Sequence, residues 1–550
     1  MTPGEAHRFG ILSRSPKLRL NGFIILGAQS TFLHPGSRNL SHLLALEKIH
    51  PLDELVPILQ DFREEGKVIV HCHGVFDLLH VGHIRHLEEA KSLGDVLVVT
   101  VTPDHYVNKG PHRPAFQQEL RVEGLAPLSV VDFVAVNYWP TAEYTIKLLQ
   151  PDVYVKGPDY RDGRLDLTGA LKREQAAVES VGGRLVTTYD VQFSSTQLLN
   201  RYLPLVPSHV HSWLERFRAR HTAEELIGYL DNMRSLRILV VGEAILDEYV
   251  YCHALGKSSK EPILAMQFHS KEVHAGGSVA VANHVADFCE HVDLVTYVGT
   301  IKPQENLIRQ RLKSNVSLSV IYKTGSPTIV KRRFIESYQF AKVFEMYEMN
   351  DALLTEREEQ ECGDLLDEKI GNCDVVIVSD FGHGLMTPRL INLVVQRAPF
   401  VAVNTQANAG NMGFHTISKY PKADYVCIHE GELRLDQRGR HDPIRPMMIS
   451  LADRMRCPTI LVTRGKEGTI SYHREGGFVE SPSLATKVVD RVGAGDAVLS
   501  LTSPCAALGM SPEMIGFIGN LAGAQAVMCV GNRDSLDRLS LIRSIESLLK

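Results

Sequence analysis

Val68-Ile-Val-His-Cys-His-Gly74-Val-Phe76-Asp-Leu-Leu-His80-Val-Gly82-His83 runs from a β-rich stretch through a turn into a segment where Ile84, Leu87 and Ala90 recur at helical spacing. A strand, a glycine-containing turn and a helix start carrying two histidines form a site for an anion. The first-turn N–H groups of a helix are free, its dipole is positive there, and Gly82 admits close approach. His80 and His83 are three residues apart, so on a helix both imidazoles meet one phosphate. By composition, His-x-Gly-His is expected roughly 0.08 times in a shuffled chain of this kind, so the motif is moderately specific.

Outward from this point the pattern alternates. β-Rich runs at 68–72, 95–101, 131–136, 152–155 and 184–188 are separated by helical stretches around 83–93, 115–126, 141–150 and 170–181. Alternation of this kind predicts a parallel, doubly wound sheet with its ligands beyond the strands' carboxyl ends, at a switch in strand order. Residues 201–235 carry Pro204, Pro207 and a charged helical stretch without a β-rich run, and read as a connector. A second alternating series occupies 237–242, 292–298, 374–379, 400–403, 425–428 and 459–463, with helices after Gly495. The expected organisation is an extension over 1–65, a first α/β domain over 66–200, a linker over 201–235 and a second α/β domain over 236–550.

The chain has 550 residues, 44% of them hydrophobic and 22% charged, which suits cores of substantial size and excludes wholesale disorder. Lys plus Arg (59) against Asp plus Glu (64) gives a net charge of −5 with no polybasic block, so nucleic acid and membrane surfaces are not expected partners. Nine scattered cysteines without a CxxC pair indicate neither a zinc knuckle nor a disulfide scaffold and suit a reducing, cytoplasmic setting. The apolar stretch 514–531 is broken by four glycines, Asn520 and Gln525 and reads as a packed internal helix. The short apolar run 22–28 behind Arg14, Lys17 and Arg19 only outlines a signal peptide and reads as an extension.

In the second domain Val488-Val-Asp490-Arg-Val-Gly493-Ala-Gly495-Asp496 predicts a backbone nest for an anion at a helix start. Asp496 at its lip is a candidate base for a hydroxyl that attacks a γ-phosphate.

Residues 66–200 resemble the HxGH nucleotidyltransferase superfamily, which includes cytidylyltransferases and the adenylyltransferase of ADP-heptose synthesis. The resemblance rests on GVFDLLHVGH, AKSLGD at 90–95, Lys109 followed by Arg113-Pro114, Val155-Lys-Gly-Pro-Asp-Tyr160 and Phe193-Ser-Ser-Thr196. It implies that His80 and His83 hold a triphosphate and that Lys109 and Lys156 neutralise phosphate charge. Ser195 and Thr196 would cap the last helix and bind phosphate, and Gly74, Phe76, Gly82 and Arg113 would complete the nucleotide site.

Residues 237–540 resemble the ribokinase-like sugar kinases, most closely the heptose-7-phosphate kinase half of the bifunctional ADP-heptose enzymes. The motifs are Val240-Val-Gly-Glu-Ala-Ile-Leu-Asp247-Glu-Tyr249, Gly276-Gly277 with Asn283, Ser379-Asp380 with Gly384, Val462-Thr-Arg-Gly465, and Asp490 with GAGD. The resemblance implies a sugar site at Asp247, Gly276, Gly277 and Asn283, and an anion hole at Gly493, Ala494 and Gly495. Asp496 would be the base and Glu432 would lie on the metal side. Three positions depart from that family. Asn404-Thr-Gln406 replaces Asp-Pro-Lys, His429-Glu-Gly-Glu432 replaces Asn-x-x-Glu, and Val492 replaces Thr. The domain order is also the reverse of the familiar fusion.

These readings together imply bifunctional synthesis of a nucleotide-activated sugar, ADP-heptose by family analogy, from ATP, Mg2+ and a sugar phosphate. A separate phosphatase acts between the steps, and a homo-oligomer is expected. A rival expectation is a cytidylyltransferase for a polyol or sugar phosphate with an inactive, ligand-sensing kinase-like domain. A non-catalytic scaffold is the third.

Overall fold

The computed structural model describes residues 45–107, 109, 113–157, 169–188 and 206–550. Eighteen strands are described: β1 (Ile69–Gly74), β2 (Val96–Val101), β3 (Phe133–Val136), β4 (Val153–Lys156), β5 (Arg184–Thr187), β6 (Arg237–Gly242), β7 (Ala244–Lys257), β8 (Leu264–Gly277), β9 (His291–Ile301), β10 (Val316–Pro327), β11 (Ile329–Glu336), β12 (Ala341–Glu348), β13 (Val375–Asp380), β14 (Val401–Thr405), β15 (Tyr425–His429), β16 (Thr459–Thr463), β17 (Thr469–His473) and β18 (Gly477–Ser481).

The first five strands form one parallel sheet in the order β3-β2-β1-β4-β5. Its order reverses between β1 and β4, so a crevice opens beyond Gly74 and Lys156. Both faces are covered, which is why the strands read as nearly unbroken apolar runs. Val70 and Cys72 enter one core with Leu87 and Val99, while Ile69 enters another with Leu52, Leu55 and Leu59.

The second sheet has nine strands in the order β10-β9-β6-β13-β14-β15-β16-β17-β18, parallel from β10 to β16 and closed by two antiparallel strands. Side chains alternate between two cores: Ile238 and Val240 on one face, Leu239 and Val241 on the other. Helices Ser278–Ala286, Ala494–Ala507 and Pro512–Ala526 cover the first face, and Glu356–Ile370 and Pro388–Arg397 cover the second. The glycine-broken stretch around Met514 is indeed an internal helix, and no described helix is long and apolar enough to cross a membrane.

The charged helical stretch read after Thr222 is a helix, but its packing, and a further sheet, lie outside the sequence reading. Residues 208–218 and 223–232, within the stretch read as a connector, are helices whose Trp213, Phe217, Leu226 and Leu230 join the first-face core. The Trp213 indole donates to the Glu480 carbonyl at 2.9 Å. Beyond the nine-stranded sheet, β12-β11-β7-β8 form a separate four-stranded sheet. Its strands β11 and β12 are rich in Lys, Arg and Glu, and beyond the buried start of β7 and β11 the sheet alternates polar with apolar residues, so it carries little of the unbroken apolar signal of a core strand.

Candidate functional site

At the end of β1 the chain makes a constrained turn. A Cβ on Gly74 would lie 3.0 Å from the Phe76 ring, and Phe76 itself has φ of 50°, a left-handed conformation that a bulky residue rarely adopts. The turn is tied down by the buried Asp77, which accepts from the amides of Ala115 (2.7 Å) and Phe116 (3.1 Å) and pairs with Arg113 at 2.5 Å. Strand and turn thus deliver the chain into helix Val81–Lys91 with His80 as its N-cap. His80 Nδ1 accepts from the Gly82 amide at 3.1 Å, which leaves the proton of the neutral ring on Nε2. The His80 and His83 rings stack with centroids 4.0 Å apart, and the edge of Phe76 packs on His83 at 5.3 Å.

His80 Nε2 and His83 Nδ1 are buried without a hydrogen-bond partner among the described residues. Burial pulls His83 down to about 3, helped by His80 and Lys109, and lowers His80, so both rings are neutral at pH 7. Each orphaned buried polar atom costs about 1–3 kcal/mol. An anion placed at this helix tip would satisfy the His80 N–H, and its charge would favour a proton on His83.

The remaining residues expected here are placed differently. Lys109 is exposed, and its charge is felt at His83. Lys156, at the end of β4, is buried and ion-paired with Glu174 at 2.8 Å, and its ammonium lies over the Tyr154 ring. An isolated ammonium inside the domain needs a counter-ion, and Glu174 supplies one to Lys156. Arg113 pairs with Asp77, both side chains being 2% exposed. Ser195 and Thr196 lie outside the described residues. Sequence reasoning missed the buried ladder from His71 through Thr100 (2.8 Å) and His73 (2.9 Å) to Thr102 (3.2 Å), and the contact of His86 with Thr188 at 3.0 Å.

The second site gathers at the start of helix Ala494–Ala507. Gly493 has φ of 84°, and a Cβ there would lie 1.9 Å from Asn532 Oδ1, so glycine is required both by conformation and by space. Asp496 is buried, and its Oδ1 accepts from Gln406 Nε2 at 2.6 Å. Its Oδ2 has no partner among the described residues. Burial pushes Asp496 up to about 7; Asp247 and Glu432 add to the rise, while Gln406 and Lys331 oppose it.

Asp247 arrives on β7 and pairs with Arg333 on β11 at 2.5 Å; the same guanidinium meets Glu345 at 2.8 Å. A Cβ on Gly276 would come within 2.1 Å of Asp247 Oδ2, so the glycine lets this carboxylate lie against the backbone of β8. Asn532 Nδ2 reaches Asp247 Oδ2 at 3.5 Å. Asp247, Gly276, Asn532, Gly493 and Asp496 are thereby linked around one site. Gly277, with φ of 60°, closes the same turn, where a Cβ would meet the Glu243 carbonyl at 2.4 Å.

Asn283 lines a cavity together with His274, Ala275 and Asn532. Its amide donates to the Arg311 carbonyl at 2.9 Å and accepts from the Lys313 amide at 3.0 Å, so both ends are spent on anchoring a loop. Asp490 accepts from Tyr249 (2.9 Å), from the Gly531 amide (3.1 Å) and from Lys342 (2.5 Å), stapling the four-stranded sheet to the GAGD turn.

Glu432 forms a capping box with His429, accepting that residue's amide at 2.8 Å and the Ala407 amide at 3.1 Å, and burial pushes it up to about 7. Gln406 and Ala407, following β14, therefore reach Asp496 and Glu432 respectively; the motif that departs from Asp-Pro-Lys connects both acids. No cluster of three or more His, Cys, Asp or Glu side chains suited to a metal occurs among the described residues. One buried and one half-buried acid, Asp496 and Glu432, fit a divalent ion that arrives with a polyphosphate and keeps several waters, not a protein cage.

Comparison with known proteins gives two family matches. The model for pfkB family carbohydrate kinases matches residues 235–539, and a cytidylyltransferase-like model matches residues 71–201. Proteins named Bifunctional protein HldE are similar to parts of the chain. That of Desulfatibacillum aliphaticivorans is 39% identical over 155 residues, 28% of this chain and 30% of the relative. That of Geobacter metallireducens is 39% identical over 172 residues, 30% of this chain and 34% of the relative. That of Citrifermentans bemidjiense is 24% identical over 311 residues, 56% of this chain and 63% of the relative. The chain thus spans about a third of the length of the first two.

Proposed function

Because this chain belongs to the pfkB family of carbohydrate kinases, with a cytidylyltransferase-like part preceding the kinase part, we propose that it makes a nucleotide-activated sugar in two steps. The kinase part phosphorylates a sugar phosphate, D-glycero-D-manno-heptose 7-phosphate by the resemblance above, at its anomeric hydroxyl. The transferase part couples a sugar 1-phosphate to ATP with release of pyrophosphate. Removal of the 7-phosphate between the steps falls to a separate phosphatase.

One observation carries the kinase reading. Asp496 stands at the mouth of the Gly493–Gly495 turn with one carboxylate oxygen held by Gln406 and the other open. The open oxygen takes the proton of the sugar hydroxyl as that oxygen bonds to the γ-phosphorus, and the bond to the β-phosphate oxygen breaks with its electron pair leaving on ADP. Backbone N–H groups of the turn stabilise the charge on the moving phosphoryl. Mg2+, when bound, neutralises polyphosphate charge beside Glu432 and Asp496. In the transferase part no covalent nucleophile is needed. His80 and His83 position the triphosphate while a sugar phosphate oxygen attacks the α-phosphorus and pyrophosphate departs.

The test is mass spectrometry of the products formed by the full chain from heptose 7-phosphate with Mg-ATP or Mg-CTP, with and without a phosphatase. ADP plus heptose bisphosphate is expected, followed by ADP-heptose when phosphatase is present. His80→Ala should remove pyrophosphate release and spare ADP formation, and Asp496→Asn should do the reverse. Wild-type protein that forms no ADP with a panel of sugar phosphates would refute the kinase step, and a CDP-sugar product would favour the cytidylyl reading.

A further inference from the structure

The inner face of the four-stranded sheet carries a cation that the fold leaves unmatched. In register, Lys331 on β11 lies beside Asp247 on β7 and opposite Tyr347 on β12; two residues on, Arg333 lies beside Tyr249 and opposite Glu345. Residues two apart share a face, so Lys331 and Arg333 point together toward the nine-stranded sheet. Their fates differ. Arg333 is bound by Asp247 and Glu345. Lys342 on the neighbouring strand is bound by Asp490, and the buried Lys323 donates to the carbonyls of Asn350 (2.7 Å) and His383 (3.0 Å).

Lys331 is 8% exposed, and its ammonium has no hydrogen-bond acceptor or paired carboxylate among the described residues. It is held instead between two aromatic faces, Tyr347 of the small sheet and Phe381 at the end of β13, each 5.5 Å from the nitrogen. The charged groups around it are Asp247, Asp496 and Glu243, which favour its charge, with Arg333 opposing and His383 nearby. Two rings give part of what an acceptor would, about 1 kcal/mol each, but a largely buried ammonium without an ion pair is costly. The fold keeps this cation beside the base, at the seam between the two sheets, with its donors unspent.

We infer that Lys331 is a further catalytic residue of the kinase part, its ammonium engaging an oxygen of the phosphoryl group as it passes from ATP to the sugar hydroxyl at Asp496. This rests on the kinase reading above. The ammonium forms no covalent bond and gives up no proton. The sugar O–P bond forms, the bond to ADP breaks, the hydroxyl proton goes to Asp496, and the cation offsets charge on the equatorial oxygens. Asp247 and Arg333 are locked to each other, so of the two cations on this face Lys331 is the one without an ion pair among the described residues.

Lys331→Met and Lys331→Arg in the full chain test it, with wild-type ADP formation established first, so that failure of the kinase reading shows before any variant is compared. Lys331→Met should lower kcat for ADP formation by roughly a hundredfold to a thousandfold, with KM for both substrates changed by no more than about threefold. It should also lose trapping of ADP with aluminium fluoride and sugar phosphate. Lys331→Arg should recover part of kcat. Pyrophosphate release by the first part should be unchanged, and the unfolding temperature of the kinase part should hold or rise, because an unpaired buried charge has been removed.

Three results would each overturn the inference. The first is an unchanged kcat. The second is a loss confined to KM for the phosphorylated sugar, which would assign the ammonium to the phosphate the sugar already carries. The third is a marked fall in unfolding temperature for Lys331→Met, which would reveal a structural partner.

Discussion

Asp496→Asn should stabilise the kinase part while abolishing its activity. The carboxyl moves from an ordinary value of 3.8 to about 7 in the folded protein, chiefly because burial penalises the charged form, with Asp247 adding like-charge repulsion. A raised acid pKa means that the folded state binds a proton more tightly than the unfolded chain. The cost to stability is therefore absent below the unfolded value, grows as pH rises from about 4 to about 7, and stays constant above that. Three pKa units at 1.36 kcal/mol each give about 4 kcal/mol above pH 7. Asparagine is neutral, nearly isosteric and keeps an acceptor for Gln406, so it recovers most of this. For a unit of this size the gain corresponds to about 5–10 °C in unfolding temperature. Differential scanning calorimetry of the full chain at pH 8.0, 6.0 and 5.0, alongside ADP formation, reads both effects. The unfolding-temperature gain should be largest at pH 8.0 and shrink toward pH 5.0. An Asp496→Asn protein no more stable than wild type at pH 8.0, or a gain independent of pH, would refute the argument that this carboxylate is held charged at the expense of stability.

Gly493→Ala should depress kinase turnover by at least about tenfold, because left-handed backbone costs alanine about 1–2 kcal/mol and its Cβ would displace Asn532. Pyrophosphate release by the same protein, assayed in parallel, should be unaffected. Arg113→Met should destabilise the first domain by about 3–5 kcal/mol by leaving Asp77 buried and unpaired. A thermal shift of that domain checks it, whereas a raised KM for nucleotide without loss of stability would return Arg113 to the phosphate.

The alternation of β-rich and amphipathic stretches was enough to specify one parallel sheet and the parallel part of a second, because strands covered on both faces must be apolar throughout and that pattern needs no knowledge of neighbours. The helix starts at His80 and Gly493 were legible for a related reason. Anion sites at helix starts are local, built by residues within one turn of each other. What lay beyond one strand or turn was not. The four-stranded sheet stayed hidden because its inner face is polar, and Arg333 takes its meaning only from Asp247 and Glu345, which lie 86 and 12 positions away.

Partnership decides whether a charged side chain is a ligand or a brace. The structure sets Lys156 against Glu174, Arg113 against Asp77 and the Asn283 amide on the loop at 311–313, partners that no sequence pattern showed. Lys331, unremarked in the sequence, became informative because the folded chain gives it no acceptor among the described residues. The sequence by itself determined the class of fold and the two helix tips, since both follow from local covalent order. Only tertiary structure decided which charges are spent within the protein and which are left for a substrate, because charge compensation is a property of space and not of position along the chain.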